Sequence, residues 1–274
     1  MRIHGIYLVK NEADIVRHSL RESARWCDRI YVYDNGSSDE TWLRSQEVAA
    51  ELPQVVLFKR EDKPFDDALR AEVFHAYRGD AQPGDWWCRL DADEFYIDEP
   101  RAFLASVPRS HHVVWAASLL YYLTRGELAR FMPEDERIPP EIRSANLPRY
   151  YSARASEARF FRHRPRLEWD GGSWPAHLGL VSPQRIRLKH FQYRSPAQIQ
   201  RRLDTRRLAK ERGWKHFEHS AQMDWREKIA DAAELHLDRG DGAYVIDEDR
   251  MPRHLEAPLS RAMKRVMHGL HVWP

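Results

Sequence analysis

Apolar positions along the chain follow two alternating periods. Residues 2–9 are an almost continuous apolar run, which predicts a buried strand. Residues 12–25 place Val16, Leu20 and Ala24 four apart, the spacing of one helical face. Residues 29–33 predict a second strand, and Asn35-Gly36-Ser37-Ser38 is turn chemistry. Ser38 or Asp39 is placed to cap a helix over 40–52, with Trp42, Gln46, Ala49 and Leu52 on its inner side. Residues 55–59 predict a third strand, 66–78 a helix with Leu69, Val73 and Ala76 on one face, and 85–90 a fourth strand. Strands alternating with helices imply a parallel sheet with helices on both faces. Ligands of such sheets bind beyond the carboxyl ends of the strands. Those ends carry Lys10-Asn11-Glu12, Asp34-Asn35 and Asp91-Ala92-Asp93-Glu94.

The second half is less regular. His111–Tyr122 predicts a long strand. Residues 123–150 are polar and hold Pro133, Pro139, Pro140 and Pro148, as an excursion or mobile loop would. Residues 160–163 and 178–191 contain further strand-like pieces. A strongly basic helix is expected over 196–212, another helix over 224–239, and an amphipathic terminal helix over 256–270. The terminal helix is expected to pack in the core, with contact to a membrane surface as the alternative. No repeat, low-complexity tract or linker interrupts the chain, so one domain with a C-terminal extension is expected.

Composition narrows the classes. The 274 residues suffice for one large α/β domain or two small ones, and 42% apolar residues with ten Trp allow a substantial core. A net charge of +2 creates no global field toward nucleic acid or membrane. No apolar run is long enough for a transmembrane helix, and the first residues lack a signal-peptide pattern, so a cytoplasmic location is expected. Cys27 and Cys88 are too few for a disulfide framework or a thiolate metal site and are expected as buried thiols.

The chemistry concentrates at Asp91 and Asp93, directly after the apolar run Trp86–Leu90. Alternate residues of an extended chain point the same way. Two carboxylates on one side of a strand end can hold one hard cation, which typically shares its shell with substrate phosphates. Metal-assisted chemistry on a phosphorylated substrate is the functional reading; a solvated acidic turn is the structural one.

Three ordered motifs carry a family likeness: Val9-Lys10-Asn11-Glu12-Ala13-Asp14, Asp34-Asn35-Gly36-Ser37-Ser38-Asp39-Glu40-Thr41, and Leu90-Asp91-Ala92-Asp93-Glu94-Phe95. Together they resemble the family-2 type glycosyltransferases of GT-A fold, in the bacterial branch with such signatures. The likeness covers residues 3–99 and continues more weakly at residues 188–195. It implies a mixed α/β sheet flanked by helices, with a catalytic domain over 1–194 and a helical extension over 195–274. Residues 1–99 would form the nucleotide-sugar half and 100–194 the acceptor half. It further implies a nucleotide-sugar donor, a divalent metal (Mn2+ or Mg2+), and transfer with inversion to a glycan or lipid-linked acceptor in surface polysaccharide synthesis. Asn11, Glu12, Asp34 and Asn35 would approach the base and ribose, with Arg70 near the nucleotide. Asp91 and Asp93 would match the metal and diphosphate site. Many relatives place a second acidic residue where this chain has Asn35, so an amide stands at the position of that base-reading contact.

Glycosyl transfer needs the leaving diphosphate neutralised, here by a metal on Asp93 with Asp91 direct or through water, and a general base for the acceptor hydroxyl. Candidate bases are Glu168 and Asp170, in a loop with two Trp and a Gly pair, and Glu94 beside the metal. Their structural alternatives are a surface turn and a support for a metal ligand. His190 is a candidate third ligand or a hydrogen-bonded structural group, and His177 a lesser candidate for acceptor contact. Arg70 has an alternative as a surface charge paired with Glu72 or Asp66, and Asp34 as a turn cap. The run Arg201, Arg202, Arg206, Arg207, Lys210 and Arg212 is expected as a solvated helix face. It could instead clamp phosphates of a donor or lipid-linked acceptor, or rest on an anionic membrane surface at the inner face of the membrane. Competing readings are a nucleotidyltransferase, which would more often show a glycine-rich loop where residues 3–14 have only Gly5, and a non-catalytic binding module. Nucleic-acid binding lacks a motif and is not expected.

Overall fold

The computed structural model describes residues 1–130, 147–213 and 224–274. In chain order the principal elements are β1 (Ile3–Val9), α1 (Val16–Ala24), β2 (Arg29–Asp34), α2 (Thr41–Glu51), β3 (Val55–Arg60), α3 (Leu69–Tyr77), β4 (Trp86–Leu90), β5 (Glu94–Tyr96), α4 (Pro100–Ser106), β6 (His111–Tyr122), β7 (Tyr150–Arg162), β8 (Leu180–Val181), β9 (Ile186–His190), α5 (Pro196–Glu211), β10 (His236–Leu237) and α6 (Pro258–Gly269).

One mixed sheet runs in the order β3-β2-β1-β4-β7-β6-β9-β5, with β8 beside β6 and β10 beside β7. β1 to β4 are parallel, as the helix–strand alternation predicts. β7 enters antiparallel to β4 and to β6, which makes the sheet mixed. β1 is buried at every residue, as its continuous apolar run requires of a strand covered on both faces. On one face Tyr7 and Val9 meet Val16 and Leu20 of α1, Val48 of α2 and Leu104 of α4. On the other, Ile6, Leu8 and Tyr31 meet Leu69, Val73 and Phe74 of α3, and the loop residue Trp169.

Several expectations shift. Helix α1 begins at Val16, because Ile15 and Val16 donate to the Glu12 carbonyl and the chain is still turning there. The buried side of α2 is Thr41, Ser45 and Val48, one residue off the expected stripe, and Gln46 is exposed. The polar groups of that face are satisfied internally: Thr41 Oγ1 accepts from the Glu12 amide at 2.8 Å and Ser45 donates to the Thr41 carbonyl at 2.8 Å. Asp39 does support the helix start, accepting from the Thr41 amide at 3.0 Å. On α3, Phe74 is buried while Ala76 is exposed. The piece expected at 160–163 is the end of β7, which starts ten residues earlier with polar residues that obscure its pattern. β5 and α4 were not expected at all. Residues 224–239 are not a helix but two 3-10 turns and β10. Most of the 123–150 excursion lies outside the described residues. Cys27 and Cys88 are buried and unpaired. Among the described residues no helix is long and apolar enough to cross a membrane.

Candidate active site

The connection from β1 leads to β2 on one side, whereas β3 leads back across β1 to β4 on the other. The carboxyl ends of β1 and β4 therefore diverge into different loops, and a crevice opens between them. Glu12 follows β1 there, and Asp91, Asp93 and Glu94 follow β4. Opposite them, the end of β9 supplies His190, paired in register with Glu94.

The two aspartates have different surroundings. Asp91 Oδ1 accepts from Arg70 at 2.5 Å, and Oδ2 accepts from Arg159 at 2.8 Å, with Arg89 at 3.7 Å. Asp93 Oδ2 lies 3.3 Å from His190 Nε2 and 3.1 Å from an Arg202 nitrogen. Glu94 is almost enclosed: it binds Arg159, and His190 Nδ1 lies 3.7 Å away. The chain leaves the strand and turns at residues 91–93, so the two carboxylates do not share one side as expected: Asp91 faces Arg70 of α3 and Asp93 faces His190 of β9. Arg70 is itself buried and bound to Asp67 and Asp91, so the alternative surface pairing with Glu72 or Asp66 does not form. Glu72 instead holds Lys59 and Lys63.

The basic helix α5 lies over these strand ends with Arg201 and Arg202 turned toward them, while Lys210 and Arg212 are exposed, as the solvated-face reading expects. Arg202 bridges Asp93 and Glu12, the latter at 3.6 Å. Thr205 accepts from the Asn11 side-chain amide at 3.0 Å, and Arg201 approaches Asp39 at 3.5 Å. Just before the helix, buried Arg194 binds Asp14 through two nitrogens at 2.8 Å each and also binds Glu12. Sequence reasoning missed Arg159, Arg194 and Asp14. Arg194 stood inside the weak motif at 188–195, and Asp14 inside the first motif, which was the available signal.

Charge fixes protonation. Burial would raise Asp93, but His190, Arg202 and Arg194 outweigh it and hold the carboxyl well below its usual range. Asp91 is likewise lowered, by Arg70, Arg89 and Arg159 against burial. Burial would lower His190, yet Asp93 and Glu94 leave it raised, so it favours the imidazolium. For Glu94 burial wins over Arg159, and the carboxyl is pushed up to about 8. Glu12 is pushed up to about 7 by burial, against Arg194.

At the end of β2, Asp34 Oδ1 accepts from the Ser37 amide at 2.6 Å, so the turn-cap role is real. Asp34 Oδ2 and Asn35 Nδ2 are nevertheless buried with no hydrogen-bond partner. Two orphaned polar atoms at a strand end are costly unless a ligand completes them. Asn11 borders the same edge in the left-handed region (φ 57°) and accepts from the Ser38 amide at 2.8 Å. Gly36 (φ 72°) is required there, since an added Cβ would strike the Asp62 backbone.

The remaining expected residues lie elsewhere. Glu168 pairs with Arg78, just past the far end of α3, at 3.1 Å, and Asp170 is exposed. Between them Trp169 is buried against Phe74 and Phe161. The loop's Trp residues serve the core, and neither carboxylate joins the Asp91–Asp93 cluster. His177 stacks on Trp273 at 4.5 Å.

Of the three expected metal ligands, Asp93 and His190 stand side by side, while both oxygens of Asp91 are given to arginines. Among the described residues no group of three or more His, Cys, Asp or Glu side chains could hold a metal ion. The pair does fit an ion that arrives with substrate phosphates, because such ions often take only one or two protein ligands.

No protein-family model matches the chain, and no curated protein does. Among solved structures, the mannosyltransferase PcManGT from Pyrobaculum calidifontis, in complex with GDP-Man and Mn2+, aligns at 15% identity with a TM-score of 0.42. That alignment covers 77% of this chain and 64% of the other. S. aureus TarS 1-349 aligns at 14% identity with a TM-score of 0.37, covering 76% and 64%. The chain thus spans less than two-thirds of the length of either protein.

Proposed function

We propose that this protein is a GT-A type glycosyltransferase that moves a sugar from a nucleotide-sugar donor to a hydroxyl acceptor. The observation that carries the reading is the crevice at the switch point, where the Asp93–His190 pair and buried arginines stand one strand from the orphaned polar atoms of Asp34 and Asn35. A nucleoside placed at Asp34 and Asn35 directs its diphosphate along the strand ends toward Arg202 and Asp93. There the anomeric carbon–oxygen bond to the diphosphate breaks, and the acceptor oxygen bonds to that carbon. The acceptor's proton passes to a carboxylate of the crevice. A divalent ion on Asp93 and His190 would act as a Lewis acid toward the leaving diphosphate. Arg202, whose Nε is buried without a partner, adds positive charge on the same side. Glu94, enclosed and bound to Arg159 with His190 beside it, serves to keep these two side chains in place. The resemblance favours inversion at the anomeric carbon, and manganese or magnesium as the ion.

Calorimetry with UDP and GDP, each with and without manganese, tests the reading. Binding of one nucleotide by the wild type, weakened in both Asp34→Ala and Asp93→Asn, is the expected result. A folded protein that binds neither nucleotide would overturn it, as would variants that bind like the wild type.

A further inference from the structure

Helix α6 is turned inside out relative to an ordinary surface helix. Its apolar side chains Leu259, Met263, Val266 and Leu270 recur at i, i+4, i+7 and i+11, one face of a helix. That face is in solvent: Leu259 is 83% exposed and Leu270 69%. No residue of the helix is buried. The polar side instead meets the body. Lys264 donates to the Gly179 carbonyl at 3.2 Å and to Glu256 at 2.7 Å, and Arg164 contacts His268 at 2.8 Å. Beyond the helix, Arg166 donates to the His271 carbonyl at 2.6 Å, and Trp273 is held between His177 and His268. The anchoring is polar, and the apolar stripe continues to exposed Val272. Six of the eleven large apolar side chains exposed among the described residues fall between Leu255 and Val272.

We propose that this stripe docks on a bilayer containing anionic phospholipid. Apolar area alone would fit other occupants; the charge selects this one. From residue 253 onward the chain has Arg253, Arg261, Lys264 and Arg265 against the single acid Glu256, which Lys264 already binds. Arg253 and Arg265 are exposed, as are Arg109, just before β6, and Arg166, which binds the His271 carbonyl beyond α6. His111 at the base of β6 feels both Arg261 and Arg265, which places these cations at that edge. A second copy would bring like charge against this rim. Anionic headgroups bring opposite charge while the acyl boundary takes the apolar stripe.

The placement is compatible with catalysis. α6 packs near β8, which pairs with the start of β6, at the edge where β1 and β4 begin. The crevice lies at the opposite ends of those strands, so a membrane-bound molecule keeps it open.

Flotation of the full chain with vesicles tests the proposal. The wild type should float with vesicles containing phosphatidylglycerol, stay behind with phosphatidylcholine alone, and be released by high salt. Leu259→Glu with Val266→Glu should abolish flotation without lowering the thermal midpoint, because both side chains are already in water. Arg253→Glu with Arg265→Glu should lower the bound fraction about tenfold. Failure of the wild type to float, or flotation of the Leu259/Val266 variant like the wild type, would overturn the proposal. So would light scattering that shows a lipid-resistant dimer broken by that variant, since a second copy would then cover the stripe.

Discussion

Helices α5 and α6 are both basic, and their sequences suggest the reverse of their roles. α5 has hardly any apolar face, yet Arg201 and Arg202 point inward onto Glu12, Asp39 and Asp93. α6 has a clear apolar face, which points outward. The difference follows from what each helix lies against. Beneath α5 the strand ends present uncompensated carboxylates, and a buried carboxylate attracts a guanidinium more strongly than solvent does. Beneath α6 the body offers the Gly179 carbonyl and Arg164, so the polar side docks and the apolar side is left for another surface.

That contrast can be broken most directly at the root of α5. Arg194→Ala should leave Asp14 uncompensated and Glu12 with only the more distant Arg202, and cost about 3–5 kcal/mol by urea denaturation. Arg202→Ala removes a partly exposed residue of α5 and should spare most of the stability. It should weaken nucleoside diphosphate binding by about ten- to a hundredfold in calorimetry, the loss of one charge-assisted contact.

pH sharpens the comparison further. Glu12, Glu94 and His190 all have folded-state affinities for protons above their unfolded ones. For each, the folded chain holds a proton that the unfolded chain has released, so stability falls as pH rises. In metal-free buffer the thermal midpoint should decline from about pH 5 to about pH 8. Asp91 and Asp93 act oppositely: their lowered values contribute stability above about pH 4 that is lost on further acidification. A Glu94→Gln variant should flatten the alkaline decline. The smallest effect belongs to α6: Leu259→Glu should change stability by less than about 0.5 kcal/mol and leave nucleotide binding intact. A larger loss would mean that the apolar face is covered within the molecule.

Legibility in the sequence varied with the range of the interactions. β1 to β4 and their helices were legible because a strand buried on both faces needs a continuous apolar run, and helices against it need apolar residues at i and i+4. β7 was not legible, since half of it alternates with polar residues whose neighbours lie far away in sequence. Asp34, Asp91 and Asp93 stood out as candidates because polar residues at the ends of buried strands have few other uses. Glu168 and Asp170 were selected on the Trp and Gly around them, but Trp169 turned out to be a core residue that carries its neighbours outward.

The sequence by itself determined the alternation of strands and helices, the identity of the acidic strand ends and the basic character of both late helices. Those properties are local, set by side-chain type and spacing. Only the tertiary structure decided that Asp91 is satisfied by arginines while Asp93 faces a histidine, that Arg194 and Arg159 are buried in the site, and that α5 turns in while α6 turns out. Each of these depends on partners 21 to 182 residues apart in the chain, and no local pattern records which charge will meet which.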